Sequence, residues 1–295
     1  MNISFEYYRI FYYVAKYENI TKAAMVLKSS QPNVTRIIHL LEDQLDCRLF
    51  LREPRGLKLT EEGKRLYDHV AIACQHLLDA EAELCWNKKI CSGTIELGVT
   101  ETALHLFLLK HLHGFQQKYS DIKIRIQNNT TPGILKALLN GRLDLAIVTT
   151  PFELNDTFAC EDLMTFREVP AGGSEYRALA DHPMSLKEFR FHSIIGLGYG
   201  TASYEYYRKV FMEQKLDYEP AMEVATADLV IPLLQNNLGV GFIPEPLAAP
   251  FFEDQSLVPL SLNVPLPSRD VKMLWDKSLS QSRAAATFCD YLRSL

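Results

Sequence analysis

From Cys91 onward, short runs of β-branched and aliphatic residues alternate with helical stretches, and the whole alternation occurs twice. Gly93 to Val99 (GTIELGV) reads as a strand, Leu104 to Tyr119 as a helix and Ile122 to Ile126 as a strand. Pro132 to Asn140 then reads as a helix and Leu143 to Val148 as a buried strand. Parallel strands need a crossover, so strand–helix alternation predicts an α/β body with a mainly parallel sheet. The second copy begins at Ser193 with SIIGLGYGTASYEYYRKVF: strand, glycine-rich loop, Thr-capped helix. A strand at Ala221 to Ala225, a helix at Ala227 to Asn236 and a strand at Gly239 to Pro244 follow. The offset between copies is roughly a hundred residues, and NGRLDLAIVTTP pairs weakly with NNLGVGFIPEP, which suggests two like-built lobes. A strand near Val271 to Trp275 and a helix from Arg283 to Leu292 would close the body.

In open α/β sheets ligands sit beyond the carboxyl ends of the strands. Those positions carry hydroxyls here: Thr100 and Thr102, Thr130 and Thr131, Thr149 and Thr150, Thr201 and Ser203, and Thr226. Several precede helix N-termini, where free amides and the helix dipole attract anions. No Arg or Lys lies among them, which favours a small or weakly charged ligand over a polyphosphate. Helix capping alone explains a Thr at any one of these sites. It explains the set less well.

The first 58 residues differ in character from the body. They hold nine Lys/Arg and six Asp/Glu, a net +3, leaving 22 and 30 and a net −8 elsewhere. A basic module on an acidic body suits a chain that meets a polyanion at one end. Ser4 can cap a first helix, with Phe11, Val14 and Ala15 on its apolar side. Asn19-Ile20-Thr21 breaks it, Thr21 is expected to cap a short second helix, and Ala23, Ala24 and Leu27 face inward. Ser30 caps a third helix, and Pro32 is tolerated in its first turn. Val34, Ile37, Ile38, Leu41 and Leu45 form its buried stripe. Gln31, Asn33, Thr35, Arg36 and His39 give its first half a polar surface, whereas Glu42 and Asp43 make its second half acidic. A helix entering a major groove presents its N-terminal residues to base edges. Gln and Asn can pair with adenine and Arg with guanine. The acidic half is expected to point away from phosphate. An ordinary solvated helix face is the alternative. Downstream, two short apolar segments flank Arg52-Glu53-Pro54-Arg55-Gly56, a hairpin tip that Arg52, Arg55 and Lys58 make basic. Such a hairpin suits phosphate or minor-groove contact, as a wing does.

From Thr60 the pattern stays helical to about Lys89. Leu66, Val70, Ala73, Leu77, Ala80 and Leu84 form a heptad-like seam, with Tyr67, Ala71, Cys74, Leu78 and Cys85 in a second stripe. A helix of ~30 residues spans ~45 Å. One stripe could pack on its own module and the other on a partner chain, so dimerisation is expected here.

The 295 residues suit about two domains. No apolar run approaches the ~20 residues of a membrane helix, and MNISFEYYRI carries no export pattern. Six scattered cysteines without CxxC favour a reducing cytoplasm over disulfides or zinc. There is no Walker loop, no G-x-S-x-G and no glycine- and arginine-rich adenylate loop, so neither an enzyme nor a cofactor is expected. Asp144 has no evident His or Ser partner and reads as structural. A redox pair among Cys91, Cys160 and Cys289 would need thiols far apart in sequence.

The N-terminal residues Phe11-x-x-Val14-Ala15, Thr21-x-Ala23-Ala24, Ser30-Gln31-Pro32-x-Val34-x-Arg36, Leu41-Glu42, Arg48-Leu49-Phe50-x-Arg52 and Leu59-Thr60-Glu61-Glu62-Gly63 run almost without gaps. This pattern resembles the LysR-type transcriptional regulators. Ile37 departs from it, standing where a polar residue is common, and His39 stands where a basic residue is common. The resemblance implies a winged helix-turn-helix over residues 1–58, a dimerisation linker helix over 59–89 and an effector-binding domain over 90–295. It further implies a fold similar to periplasmic binding proteins, with lobe 1 at about 90–161 and 266–295 and lobe 2 at about 162–265. Implied partners are operator DNA, a small-molecule effector, expected to be a small anion or carboxylate, and further copies in a homodimer or homotetramer. The expected DNA-contacting set is Thr21, Ser30, Gln31, Pro32, Asn33, Thr35, Arg36, His39, Arg52, Arg55 and Lys58. The expected effector set is Thr100, Thr102, Thr130, Thr131, Thr149, Thr201, Ser203 and Thr226. Positions like Thr100, Thr102, Thr130, Thr149 and Ser203 often contact the effector in that family.

Overall fold

Local capping chemistry sets the first elements. Ser4 Oγ accepts from the Glu6 N–H at 3.3 Å and starts helix α1, Phe5–Tyr17. A computed structural model describes residues 3–53, 56–85, 93–279 and 281–295, with the side chains of 52, 53, 56, 75 and 79–85 outside the description. The chain forms two compact units, Met1–Lys89 and Ile90–Leu295.

In the first unit, α2 (Ile20–Val26) is capped by Asn19, whose side chain accepts from the Lys22 N–H at 3.0 Å. Thr21, the expected cap, lies inside the helix. Asn is among the strongest caps, and it reaches the third helical amide first. Lys28 turns the chain at φ 50, and Ser30 then caps α3 (Gln31–Leu45), accepting from the Asn33 N–H. Val34, Ile37, Ile38 and Leu41 are buried and pack against Ile10, Phe11, Val14, Ala23 and Ala24. Ile37 therefore belongs to the core and offers nothing to a ligand of the outer face.

Glu42 turns into the protein. It is only 5% exposed, although it begins the acidic half of α3. Its Oε1 accepts from the N–H groups of Leu49 (2.8 Å) and Phe50 (3.3 Å), and its Oε2 accepts from the Arg48 guanidinium at 2.8 Å. The carboxylate thus ties α3 to the start of β1 (Phe50–Glu53), which pairs antiparallel with β2 (Gly56–Leu59). Burial pushes the Glu42 pKa up, but bonds from the Leu49 N–H, Arg48, the Phe50 N–H and His39 outweigh it and hold the group below the usual carboxylate range.

Helix α4 (Glu61–Cys85) starts where Thr60 Oγ1 accepts from the Gly63 N–H and donates to the Arg48 carbonyl. Gly63 is required, since a Cβ there would stand 2.2 Å from the Leu49 carbonyl oxygen. Leu66, Tyr67, Val70, Ala71 and Cys74, drawn from both expected stripes, pack on the module. Further on, Leu77 and Leu78 are 48% and 39% exposed. Among the side chains described, burial on the module ends at Cys74. Residues 86–89 of the expected helix lie outside the described residues.

The second unit holds two five-stranded sheets. The first has strand order β4-β3-β5-β12-β6, from Ile122–Asn128, Gly93–Val99, Leu145–Thr149, Arg269–Asp276 and Phe158–Phe166. The second has order β11-β7-β10-β8-β9, from Val258–Pro259, Glu168–Gly172, Val240–Pro244, Ile194–Leu197 and Met222–Val224. In the first sheet β3 pairs parallel with β4 and β5; in the second β8 pairs parallel with β9 and β10. Helices follow these strands: α5 (the run 101–118, with a π-turn at Leu104–Leu108), α6 (Thr131–Leu139), α7 (Leu186–Phe189), α8 (Ala202–Glu213), α9 (the run 227–235), α10 (Glu245–Glu253) and α11 (Arg283–Arg293). The chain passes from the first sheet to the second between Phe166 and Glu168, and returns between Pro259 and Arg269. The first passage comes later than the expected break near residue 161, because β6 stays paired with β12 through Phe166.

Replacing Glu42 with Ala leaves the buried Leu49 amide without a partner and should destabilise the wing by roughly 2–3 kcal/mol. Faster hydrogen exchange at the Leu49 and Phe50 amides of the full chain would report it. Because the folded pKa is depressed, the wild-type contribution is present above the ordinary carboxylate value and is lost as pH falls through the lower folded one. Exchange protection at Leu49 should fall with acid along that course.

Candidate functional site

The carboxyl ends of β3, β5 and β8, and the turns after β4 and β9, converge on one cavity of about 290 Å3. All eight residues of the expected effector set line it: Thr100, Thr102, Thr130, Thr131, Thr149, Thr201, Ser203 and Thr226. Glu101, Asn128, Asn129, Leu197 and Ala225 also border it. Thr150 does not; its hydroxyl accepts from the Asp270 N–H at 2.9 Å.

The hydroxyls divide by what they already do. Thr130 and Thr201 are caps, accepting from the Gly133 and Tyr204 N–H groups. Thr201 also donates to the Gly198 carbonyl at 2.9 Å, so its one proton is committed. Thr131 donates to the Thr149 carbonyl at 3.4 Å. Thr100 and Thr226 precede α5 and α9 but make no side-chain cap bond. The Thr100 hydroxyl is buried without any partner, although buried polar groups are nearly always bonded. Capping therefore accounts for part of the set and leaves Thr100 unexplained.

Sequence reasoning missed the cation of this site. Arg269, 1% exposed at the start of β12, sits one layer beneath the cavity. Its Nε donates to the Thr150 carbonyl at 2.8 Å and its Nη1 to Glu168 Oε1 at 2.5 Å. Nη1 also donates to Ser203 Oγ (3.1 Å), and Nη2 to Thr149 Oγ1 (3.2 Å). The guanidinium lies over the Phe166 and Tyr206 rings. Burial pushes the Glu168 pKa up, against the pull of the Arg269 charge. No local motif marks Arg269; strand pairing sets it opposite Phe166, while Glu168 and Ser203 reach it from β7 and α8. At the rim, the Glu101 carboxylate accepts from Asn128 at 2.6 Å and pairs with His105 at 2.7 Å.

In the first unit, Gln31, Pro32, Thr35, Arg36 and His39 line an open groove along α3 with Leu40 and Asp43. Asp43 thus stays at the far end of the polar face, whereas Glu42 turns inward. Thr21 Oγ1 donates to Gln31 Oε1 at 3.4 Å. Asn33 is committed locally, donating to Ser29 Oγ and accepting from Arg36. Thr35 Oγ1 donates to the Gln31 carbonyl. The Gln31 amide donors and much of the Arg36 guanidinium remain to meet a partner. Lys58 is exposed on β2. The Arg52 side chain and all of Arg55 lie outside the described residues.

Burial pushes the thiols of Cys47, Cys74 and Cys160 up, and that of Cys289 up to about 11. Thiols so raised are poor nucleophiles. No helix among the described residues is long and apolar enough to cross a membrane.

Residues 5–64 match the bacterial regulatory helix-turn-helix protein family, lysR type, and residues 91–295 match the LysR substrate binding domain. Over 287 residues the chain is 25% identical to the HTH-type transcriptional regulator YofA of Bacillus velezensis, covering 97% of this chain and 96% of that one. The crystal structure of CbnR, a LysR family transcriptional regulator, superposes with a TM-score of 0.68 at 16% identity and 99% coverage of both chains. HinK, a LysR family transcriptional regulator from Pseudomonas aeruginosa, gives a TM-score of 0.57 at 22% identity, covering 99% of this chain and 98% of that one.

Two substitutions in one cavity should move stability in opposite directions. Thr100→Val removes an unpaired buried hydroxyl at constant shape and should stabilise the ligand-free protein by up to about 1 kcal/mol. Thr201→Val removes a cap and should cost about 1 kcal/mol. Thermal melts of the two variants without additives check the signs.

Proposed function

Since the chain belongs to the LysR family of DNA-binding transcriptional regulators, with a substrate-binding domain, and is not an enzyme, we propose that a small anion, a carboxylate in class, is its effector. The anion binds in the hydroxyl-lined cavity between the two sheets, which serve as the two lobes. Thr100, following β3, and Thr149, ending β5, contribute from one side; residues following β8 and β9 contribute Thr201, Ser203 and Thr226 from the other. A ligand touching both sides binds one lobe arrangement better than another, and only that difference can shift the equilibrium. The convergence of eight hydroxyl-bearing residues, drawn from both sheets, on one cavity carries this reading. The low volume, about 290 Å3, favours a small molecule.

At the other end, α3 enters the major groove. Gln31 and Arg36 read base edges, with His39, Thr35 and Pro32 beside them. Thr21 steadies Gln31, and Ser30 and Asn33 shape the helix start. Arg52, Arg55 and Lys58 on the hairpin hold phosphate. The exposed Leu77 and Leu78 of α4 support pairing with a second copy, and a two-fold dimer suits an operator with two half-sites. A cytoplasmic location fits contact with DNA.

A thermal-shift screen of small carboxylates, amino acids and inorganic anions tests the cavity. A ligand at a hundredfold its Kd stabilises by about 2.7 kcal/mol, and Thr100→Val should abolish that shift while DNA affinity stays intact. A shift that survives Thr100→Val would move the effector elsewhere. For the DNA surface, Arg36→Ala should narrow the gap between cognate and random DNA by roughly 1–3 kcal/mol. Equal losses on both, in a competition binding assay, would reduce Arg36 to a phosphate contact.

A further inference from the structure

We propose that Arg269, which does not itself border the cavity, is the positioning residue that makes the cavity select anionic oxygens, because it turns the Thr149 and Ser203 hydroxyl protons toward the ligand. This rests on the effector reading above and deepens it.

A guanidinium carries N–H donors and no acceptor. Thr149 Oγ1 and Ser203 Oγ must therefore each accept from Arg269, at 3.2 and 3.1 Å. Each hydroxyl has a single proton, and accepting from Arg269 forbids that proton from pointing back at the guanidinium. Among the hydrogen bonds of the described residues, neither proton has a protein acceptor. Both residues border the cavity. The cavity floor thus offers two aligned O–H donors, each polarised by a cation behind it. Had either hydroxyl donated to a carbonyl, as Thr131 and Thr201 do, it would offer lone pairs instead.

Charge sets the second limit. Glu168, 1% exposed in its side chain, pairs with Arg269 and cancels its charge at the floor. Glu101 adds a carboxylate at the rim, answered by Asn128 and His105. The site therefore recognises by donor geometry more than by net positive charge. That suits a monoanion such as a carboxylate, and it disfavours both a polyanion and a neutral molecule presenting N–H groups to the floor.

The test compares acetate with acetamide, its neutral isostere, titrated at up to tens of millimolar into the full chain labelled at its Thr methyl groups. NMR shifts of the Thr100, Thr149 and Thr201 methyls place each additive in the cavity and give its affinity. Wild type should bind acetate more tightly than acetamide. The double variant Arg269→Met/Glu168→Leu removes the pair without leaving a lone buried charge, a change that packed interiors tolerate. It should reduce the acetate-to-acetamide affinity ratio at least about tenfold, the worth of one charge-assisted hydrogen bond. A purely structural role would weaken both additives alike and leave the ratio unmoved, which overturns the proposal while sparing the cavity as effector site. Glu168→Gln retains the guanidinium and decides the same question without deleting it. It should keep the preference for acetate over acetamide that the double variant loses; loss of that preference with Arg269 still in place would overturn the proposal. Wild type that binds neither additive, or binds both equally, would overturn both the proposal and the anion reading on which it rests.

Discussion

The Arg269–Glu168 pair sits where the chain changes sheets. Glu168 begins β7, just after the first passage, and Arg269 begins β12, just after the second. Taking two charges out of water is costly, and their attraction repays this only when the remaining donors and acceptors are also bonded. Arg269 largely meets that condition, with bonds to Thr150, Glu168, Ser203 and Thr149 and two aromatic rings beside it, whereas Glu168 Oε2 is buried without a hydrogen-bond partner. Ser203 and Tyr206 lie on α8 beside the second sheet, whereas Thr149, Thr150 and Phe166 belong to the first. One side chain therefore fixes the register of two passages and orients two hydroxyls of the cavity.

Glu42 solves a similar problem in the first unit by similar means. A short β-hairpin is marginal alone, and β1 begins with amides that lack sheet partners. The Glu42 carboxylate, delivered from α3, takes the Leu49 and Phe50 N–H groups and adds Arg48. The hairpin is thereby built onto the same helix that carries Gln31 and Arg36. A single buried acid couples the position of the wing to the position of the helix face.

Much of this was legible in the sequence, for physical reasons that differ by element. Ser4 and Ser30 cap helices through bonds two or three residues away, so local pattern sufficed. The hydroxyl set was legible because strand–helix alternation itself locates the carboxyl ends of strands. Glu42 continues the Val34–Ile38 row one turn further on and so points inward, which its charge disguises. Asn19 and Thr21 are both good caps, and only geometry chooses between them. Strands β6 and β7 escaped notice because FACEDLMTF and EVPAG mix polar and apolar residues, and β6 is an edge strand. Arg269 was invisible in principle, since its salt-bridge partner lies 101 residues away. No window along the chain holds both ends of such a bond.

The same division suggests where an effector has leverage. Arg269 ties Thr149 to Ser203 across the cavity before any ligand arrives. Contacts to those two hydroxyls give affinity, but they change little between lobe arrangements that both preserve the guanidinium. Thr100 and Thr226 stand on opposite sides and lack side-chain cap bonds. A ligand that spans them makes contacts only one separation of the sheets allows. Each tenfold difference in affinity between arrangements is worth about 1.4 kcal/mol, so even one or two such contacts suffice to shift a balance of a few kcal/mol. On the proposed reading, the Arg269 floor decides what binds, and the Thr100–Thr226 span decides what binding does.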